Sequence, residues 1–360
     1  MSEPDRVQGQ TRPAGVLIIG AGLIGTSIGL ALSAQGVAVY LRDRTSSHAL
    51  VAAGLGAGSV DEPRDIELVI VAVPPAAAAA VVAKALETFP RATVTDVSSV
   101  KSPVLEEVRS LGADLSRYIG SHPMAGSQRS GPLTSRSDLF VDRTWVIAAE
   151  PGSDAFHLAR VRWLAETCQA RIEVMDPHEH DLAVAEVSHV PQIVSSLMAG
   201  NLTEVPPAHL RLAGQGVRDV TRIAASDEVM WTQIILANQE AIRTQLDRLS
   251  ASLEEVRSHL GSAESVTAFI RHGIDGTRVL PGKHGKTAAE YTFVVVEIPD
   301  SPGALARLFA DVEAAGVNVE DLRIEHDRSR EVGYISIAVE PAKADALSAA
   351  MTGSGWTLRQ

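Results

Sequence analysis

Val16-Leu17-Ile18-Ile19-Gly20-Ala21-Gly22-Leu23-Ile24-Gly25 decides the fold of this 360-residue chain. Four apolar residues in a row predict a strand buried on both faces. They run into Gly20-x-Gly22-x-x-Gly25, and an apolar helical pattern follows from about Leu23 to Ala34 before Gly36 stops it. Glycines at this spacing make a tight turn, let backbone approach a pyrophosphate, and let the helix pack closely on the strand. The helix N-terminus then offers unpaired N–H groups to phosphates. Val37 to Leu41 reads as a second strand, with Asp43 just after it, about 20 residues beyond the turn, where the dinucleotide fingerprint places an acid. A carboxylate there accepts from ribose hydroxyls and repels a 2′-phosphate, which favours NAD. The flanking Arg42 and Arg44 pull the other way, since arginine there can hold NADP.

Further strand signals run from Leu68 to Val73, ending at Pro74-Pro75, and from Ala92 to Val97, ending at Ser98-Ser99, with helix formers from Ala76 to Leu86 between them. The alternation predicts a parallel, doubly wound α/β sheet over residues 15–150. Ligands of such sheets sit beyond the carboxyl ends of the strands. Cofactor contacts are therefore expected from Gly20, Gly22, Leu23, Ile24, Gly25, Asp43, Val73, Pro74 and Ser98. Ser99 and His122, of Ser121-His122-Pro123-Met124-Ala125-Gly126, fall at such ends too. A histidine at the rim of a cofactor crevice can take a proton while a nicotinamide takes a hydride.

The formal charge of -12 argues against nucleic acid or an anionic membrane as the main partner. An anionic substrate would need local arginines against that field. Cys168 is the only cysteine, which excludes an internal disulfide and a cysteine-based zinc site; it reads as buried and inert. Residues 1–14 are polar, expected to be a disordered N-terminus and not a signal peptide or anchor. No apolar run is expected to span a bilayer, and a cytoplasmic location is the default.

The second half reads as helical over 151–275. Leu158, Val161, Leu164 and Cys168 keep helical spacing, Arg171 to Met175 is a short strand, and Asp176-Pro177 caps a helix carrying Ser188-His189-Val190-Pro191-Gln192. A proline within a helix frees backbone groups and bends it. Ser226-Asp227-Glu228 starts another helix. The stripe Ile235, Ile242, Leu246, Leu249, Leu253, Val256 and Leu260 needs a partner surface, either within the chain or in a homodimer. Residues 276–290 read as a linker; the surrounding His272 and His284 are too far apart for a metal site, and none is expected. Strands at 291–298, 317–325 and 333–339, helices at 303–314 and 342–351, and a possible strand at 356–358 suggest a small α+β sandwich.

On these residues the chain resembles the prephenate/arogenate dehydrogenase family, with a C-terminal ACT domain of ferredoxin-like fold. The motifs are Gly20 to Gly25, Asp96-Val97-Ser98-Ser99-Val100-Lys101, His122 to Ser127, Ser188 to Pro191, and Arg218-Asp219-Val220-Thr221-Arg222 leading to Ser226-Asp227 and Met230-Trp231. Asp300 to Leu305 and Gly316 to Val319 resemble the ligand-contacting turns of ACT domains.

The resemblance implies NAD-dependent oxidative decarboxylation of prephenate to 4-hydroxyphenylpyruvate in tyrosine biosynthesis, or the matching reaction of arogenate, by a homodimer. His122 would polarise or deprotonate the 4-hydroxyl. Ser99 would bond the same hydroxyl or the imidazole, and His189 would line the pocket. Arg222 would grip a carboxylate, with Arg218 and Gln192 beside it. Arg222 could instead pair with Asp219 or Asp227. Many members carry histidine at Gln192 and lysine at Arg218, which bears on prephenate against arogenate. Pro302, Gly303 and Asn318 would contact an aromatic amino-acid effector, with tyrosine the expectation. A β-hydroxyacid dehydrogenase usually relies on a helical-domain lysine, and there is none between residues 149 and 282. A non-catalytic amino-acid sensor has no reason to retain Gly20, Gly22, Gly25, Ser99, His122 and Arg222 together.

Overall fold

A computed structural model describes residues 11–126, 131–280, 291–299, 301–327 and 332–359. The chain folds as two compact units, the first ending at Ala251 and the second beginning at Ser252.

In the first unit, β1 (Gly15–Ile19), β2 (Ala38–Arg42), β3 (Ile66–Val71) and β4 (Thr93–Asp96) form a parallel sheet in the order β2-β1-β3-β4. Val16, Ile18 and Leu68 through Val71 are fully buried, because helices cover both faces and neither face can be polar. Helix Leu23–Ala34 packs on one face, and helix Pro75–Thr88 lines the other through Ala78, Ala79, Val82 and Ala85.

A separate three-stranded sheet follows, and it is mixed. β5 (Gly120–Pro123) and β6 (Thr144–Ala148) pair antiparallel, and β6 pairs parallel with β7 (Arg171–Met175). His122 lies within β5, not after it. Helix Ala155–Thr167 puts Val161, Leu164 and Ala165 into the same core as Ile18, and Cys168 is buried beside them. The α/β unit thus runs to Met175, beyond the boundary expected near 150, because β7 is its edge strand. Residues 11–14 are packed, where disorder was expected. The Arg12 guanidinium donates to the carbonyls of Gln35 and Gly36, and the Ala14 N–H donates to Glu67.

Asp176 caps helix Pro177–Val184 by accepting the His178 N–H, as its position before proline predicts. The helical run continues through a π-helical turn, Ala185–His189, into helix Val190–Asn201. Pro191 has no N–H to give the preceding turn, which fits the extra residue accommodated there. By length and composition the stretch Pro177–Glu204 is apolar enough to cross a membrane, contrary to the expectation from sequence. Its polar residues His180, Asp181, His189, Gln192 and Ser195 are buried, whereas its apolar Val187, Leu197 and Met198 are exposed. Helices Glu228–Ala237 and Gln239–Ser258 follow, breaking at Asn238, and Ala241 and Ile242 pack with Ala185.

In the second unit, helix Ala263–Arg278 takes in the first residues assigned to the linker; residues 281–290 lie outside the described residues. β8 (Thr292–Pro299), β9 (Asp321–Asp327), β10 (Val332–Val339) and β11 (Thr357–Arg359) form an antiparallel sheet in the order β11-β8-β10-β9. With helices Ala304–Ala314 and Pro341–Gly353 this is the βαββαβ ferredoxin-like arrangement. β9 starts at Asp321, later than expected, so Val317 and Asn318 belong to the preceding loop.

Candidate active site

The glycine turn has separable parts. Gly20 has φ +108°, and a Cβ there would sit 2.2 Å from the Ala72 carbonyl oxygen. A Cβ on Gly25 would lie 1.9 Å from the Gly20 carbonyl, so helix and turn touch at that point. Gly22 differs: among the described residues nothing lies within 4 Å of its Cβ position, and it begins the helix without a side-chain cap. That open ground before the N–H groups of Leu23 and Ile24 is what a pyrophosphate requires. Asp43 accepts the Ala21 N–H at 2.7 Å and the Thr45 N–H at 2.7 Å, fixing its carboxylate beside the turn with lone pairs left for ribose hydroxyls. Arg42 is committed elsewhere, donating to the carbonyls of Leu41, Val60 and Asp61. These residues fit NAD, and the described residues include no cluster of three metal-ligating side chains.

The chemistry collects at the carboxyl edge of the sheet. Val94 of β4 bridges in parallel to Tyr118, so the chain leading into β5 runs beside β4 in the same direction. Asp96 anchors this edge. Its carboxylate accepts from the Ser98 N–H at 2.9 Å, from the Tyr118 hydroxyl at 2.7 Å and from Lys101 Nζ, which also donates to the Ser121 carbonyl. Burial pushes the Lys101 ammonium below its ordinary pKa and the Tyr118 phenol well above its own. Ser98 Oγ is buried and has no hydrogen-bond partner among the described residues. At the end of β3, Val73 is half-buried and Pro74 is exposed. Ala76, one turn on, is approached by Gln233 from helix Glu228–Ala237 at 3.5 Å.

His122 is held from the helical segment. Its Nδ1 lies 2.9 Å from His180 Nε2, and His180 Nδ1 lies 2.8 Å from Asp181 Oδ1. Ser99 therefore does not hold this imidazole nitrogen; it stands half-buried at the edge. Among the described residues His122 Nε2 has no partner. Burial, then the nearby His180, Lys101 and His189, lower the His122 pKa well below the usual histidine value, so the ring is neutral at pH 7. Burial would raise the Asp181 pKa, but N–H donors from His180, Lys101 and Ser102 hold it below the ordinary value.

His189 is buried, with Nδ1 3.1 Å from Asn238 Nδ2 and its ring edge-on to the half-buried Trp231 at 6.0 Å. Burial lowers its pKa to about 4. Gln192, one turn on, is buried and donates to Ser196 Oγ at a long 3.5 Å. The turn Arg222–Ala224 packs on the helix carrying Gln192, but Arg222 and Arg218 are exposed. Among the described residues neither makes an ion pair: Asp219 accepts from Gln215, and Asp227 caps the next helix at Met230. His180, Asp181 and Asn238 carry no role in the sequence reading; the only signal was the adjacent His180-Asp181 pair near the start of its helix.

A dinucleotide cradle, and beside it a neutral histidine with one anchored and one open ring nitrogen, define a nicotinamide-dependent dehydrogenase. Over residues 28–174 the chain matches the prephenate dehydrogenase nucleotide-binding domain, and over residues 176–271 the prephenate dehydrogenase dimerization domain. It is 37% identical over 345 residues to "Probable prephenate dehydrogenase NovF" of Streptomyces niveus, covering 92% of this chain and 95% of that one. The crystal structure of prephenate dehydrogenase from A. aeolicus in complex with hydroxyphenyl propionate and NAD+ is similar at a TM-score of 0.66 and 26% identity, over 74% of this chain and 98% of that one. Synechocystis arogenate dehydrogenase is similar at 0.63 and 25%, over 74% and 100%. The chain belongs to the prephenate dehydrogenase family and is an NAD-dependent oxidoreductase.

In the second unit Gly303 has φ +89° at the start of helix Ala304–Ala314, and Gly316 has φ +65°. Pro302 is exposed beside Gly303, and Asn318 Nδ2 donates to Glu320 at 2.6 Å, within its own loop.

Proposed function

We propose that the chain converts prephenate, with NAD+, to 4-hydroxyphenylpyruvate, CO2 and NADH. The supporting observation is His122: Nδ1 occupied by His180, Nε2 open, at the same sheet edge as the glycine turn. NAD+, when bound, accepts the hydride from C4. His122 Nε2 accepts the 4-hydroxyl proton, and a neutral, desolvated imidazole can do so without first losing one. Carbonyl formation at C4 lets the ring carboxylate leave as CO2 with aromatisation. Ser99 donates to or orients the same hydroxyl. Arg222, with Arg218, holds a carboxylate as a planar bidentate donor. His189 lines the pocket, with Gln192 facing the side chain. The enzyme acts as a homodimer through its helical domain.

Arogenate is the second reading. Gln192 uses its amide nitrogen on Ser196, leaving a carbonyl oxygen able to accept from an ammonium. Regulation is part of the proposal: the C-terminal unit is an ACT domain that binds tyrosine at Pro302, Gly303 and Asn318. Parallel assays with prephenate and arogenate, following NADH absorbance, decide the substrate. His122→Asn is expected to lower turnover by roughly 10²–10⁴ with NAD+ affinity kept; turnover within a few-fold of the parent removes His122 from the chemistry. Added tyrosine should inhibit without competing with substrate, and Asn318→Ala should relieve that inhibition. Purely competitive inhibition, unchanged in Asn318→Ala, would place tyrosine in the active site.

A further inference from the structure

We propose that His180 and Asp181 are positioning residues which set the tautomer of His122 whenever their helix is seated on the α/β sheet. This rests on His122 being the proton acceptor and adds two residues to its machinery.

An ionised carboxylate only accepts, so His180 Nδ1 must donate across the 2.8 Å contact to Asp181 Oδ1. With His180 neutral, its Nε2 carries only a lone pair. Across the 2.9 Å contact the proton therefore belongs to His122 Nδ1. That leaves the His122 lone pair on Nε2, the nitrogen without a protein partner among the described residues. The opposite tautomer would carry a proton there and could accept nothing.

Asp181 is held ionised by more than His180. Its Oδ1 also accepts the Lys101 N–H, and its Oδ2 the Ser102 N–H, each at 2.8 Å. These are the first donors of helix Ser102–Ser110, which has no side-chain cap of its own. A carboxylate at a helix N-terminus is favoured by the dipole. One side chain from the helical domain thus caps a helix of the α/β domain and sets the hydrogen bonds of the base. The contact extends to His189. Asn238 Nδ2 donates to the Asp181 backbone carbonyl at 2.8 Å and to His189 Nδ1 at 3.1 Å. The His189 proton is then on Nε2, so these two histidines emerge with opposite polarity, His122 an acceptor and His189 a donor.

The test begins with the whole, unsubstituted protein. Imidazole nitrogen resonances of ¹⁵N-labelled enzyme, with His122 assigned by its loss in His122→Asn, should show His122 protonated at Nδ1. In Asp181→Asn the carboxamide can donate to His180 Nδ1, reversing the pair and moving the His122 proton to Nε2. Turnover should fall by about 10²–10⁴, as for other bases whose supporting carboxylate is made an amide, while the substrate KM stays within about threefold. Because Asp181→Asn also disturbs the helix cap, His180 supplies the second arm. His180→Leu should lose turnover at constant KM, and His180→Gln, which keeps an acceptor and a donor, should recover at least tenfold over it. A native His122 protonated at Nε2, or a His180→Leu enzyme within threefold of the parent, would overturn the proposal. If the spectra are as expected but His122→Asn turns over normally, the tautomer assignment stands and the catalytic reading of His122 falls.

Discussion

Alanine at Gly22 and at Gly25 should separate cofactor binding from folding. A Cβ on Gly22 meets nothing within 4 Å among the described residues, and its φ of −82° is open to any residue. Gly22→Ala should therefore fold, with stability raised by about 0.4–1 kcal/mol through the less flexible unfolded chain. Its methyl would stand where the pyrophosphate approaches the first helical N–H groups. Losing one charged hydrogen bond costs about 1.5–3 kcal/mol, which weakens NAD+ binding by roughly 10- to 100-fold. Gly25→Ala meets backbone instead. Its Cβ would lie 1.9 Å from the Gly20 oxygen, where ordinary contact begins at 3.4 Å, so turn and helix must part. Such overpacking costs about 1–3 kcal/mol, or roughly 2–12 °C in Tm for a domain of this size. Calorimetric titration with NAD+ and a thermal melt of each variant make the comparison. Parent-like NAD+ affinity in Gly22→Ala would refute the cradle, and a parent-like melt of Gly25→Ala would refute the packing argument.

Arg222→Ala should lower kcat/KM by about 2–5 kcal/mol through KM and leave Tm unchanged, because Arg222 makes no ion pair among the described residues; a constant KM with a lowered Tm would reject the carboxylate grip. Stability should also fall in acid. The folded pKa values of His122 and His189 lie below the unfolded value of 6.5, so the unfolded chain binds protons first. That contribution is complete above about pH 6.5 and is lost as pH falls toward about 4, where the His189 share alone is about 3 kcal/mol. Tm measured from pH 7.5 to 4.5 should drop, and drop less in His189→Asn; a Tm independent of pH would count against both burials.

The cofactor half was legible because its rules are local. A four-residue apolar run, three glycines and one acid fix a strand, a turn and a helix, and Asp176-Pro177 marked a helix start to the residue. Direction was harder: nothing in Ser121-His122-Pro123 distinguishes a strand running with its neighbours from one running against β6, which is a long-range matter. The edge strand β7 was found but placed in the wrong domain, since its partner β6 lies more than twenty residues earlier. Candidate residues on the glycine turn and His122 could be named singly. The His122–His180–Asp181 series could not, because adjacency across 58 residues is a property of the fold. Arg42 likewise reads as a cofactor contact until three backbone carbonyls claim it.

The helix beginning at Ser102 waits for a cap that lies 79 residues downstream. During synthesis its first turn leaves the ribosome well before Asp181 exists, and closing so long a loop costs about 4 kcal/mol of chain entropy. The strands can condense earlier around their own apolar core, with that helix start frayed. A polypeptide stopped at Met175 would contain the whole cofactor cradle and His122, with nothing to orient the imidazole. Recombining nucleotide-binding and helical halves from different relatives faces the same constraint: the Lys101-Ser102 turn and the His180-Asp181 pair have to be inherited together, although a crossover between them looks harmless on the linear map.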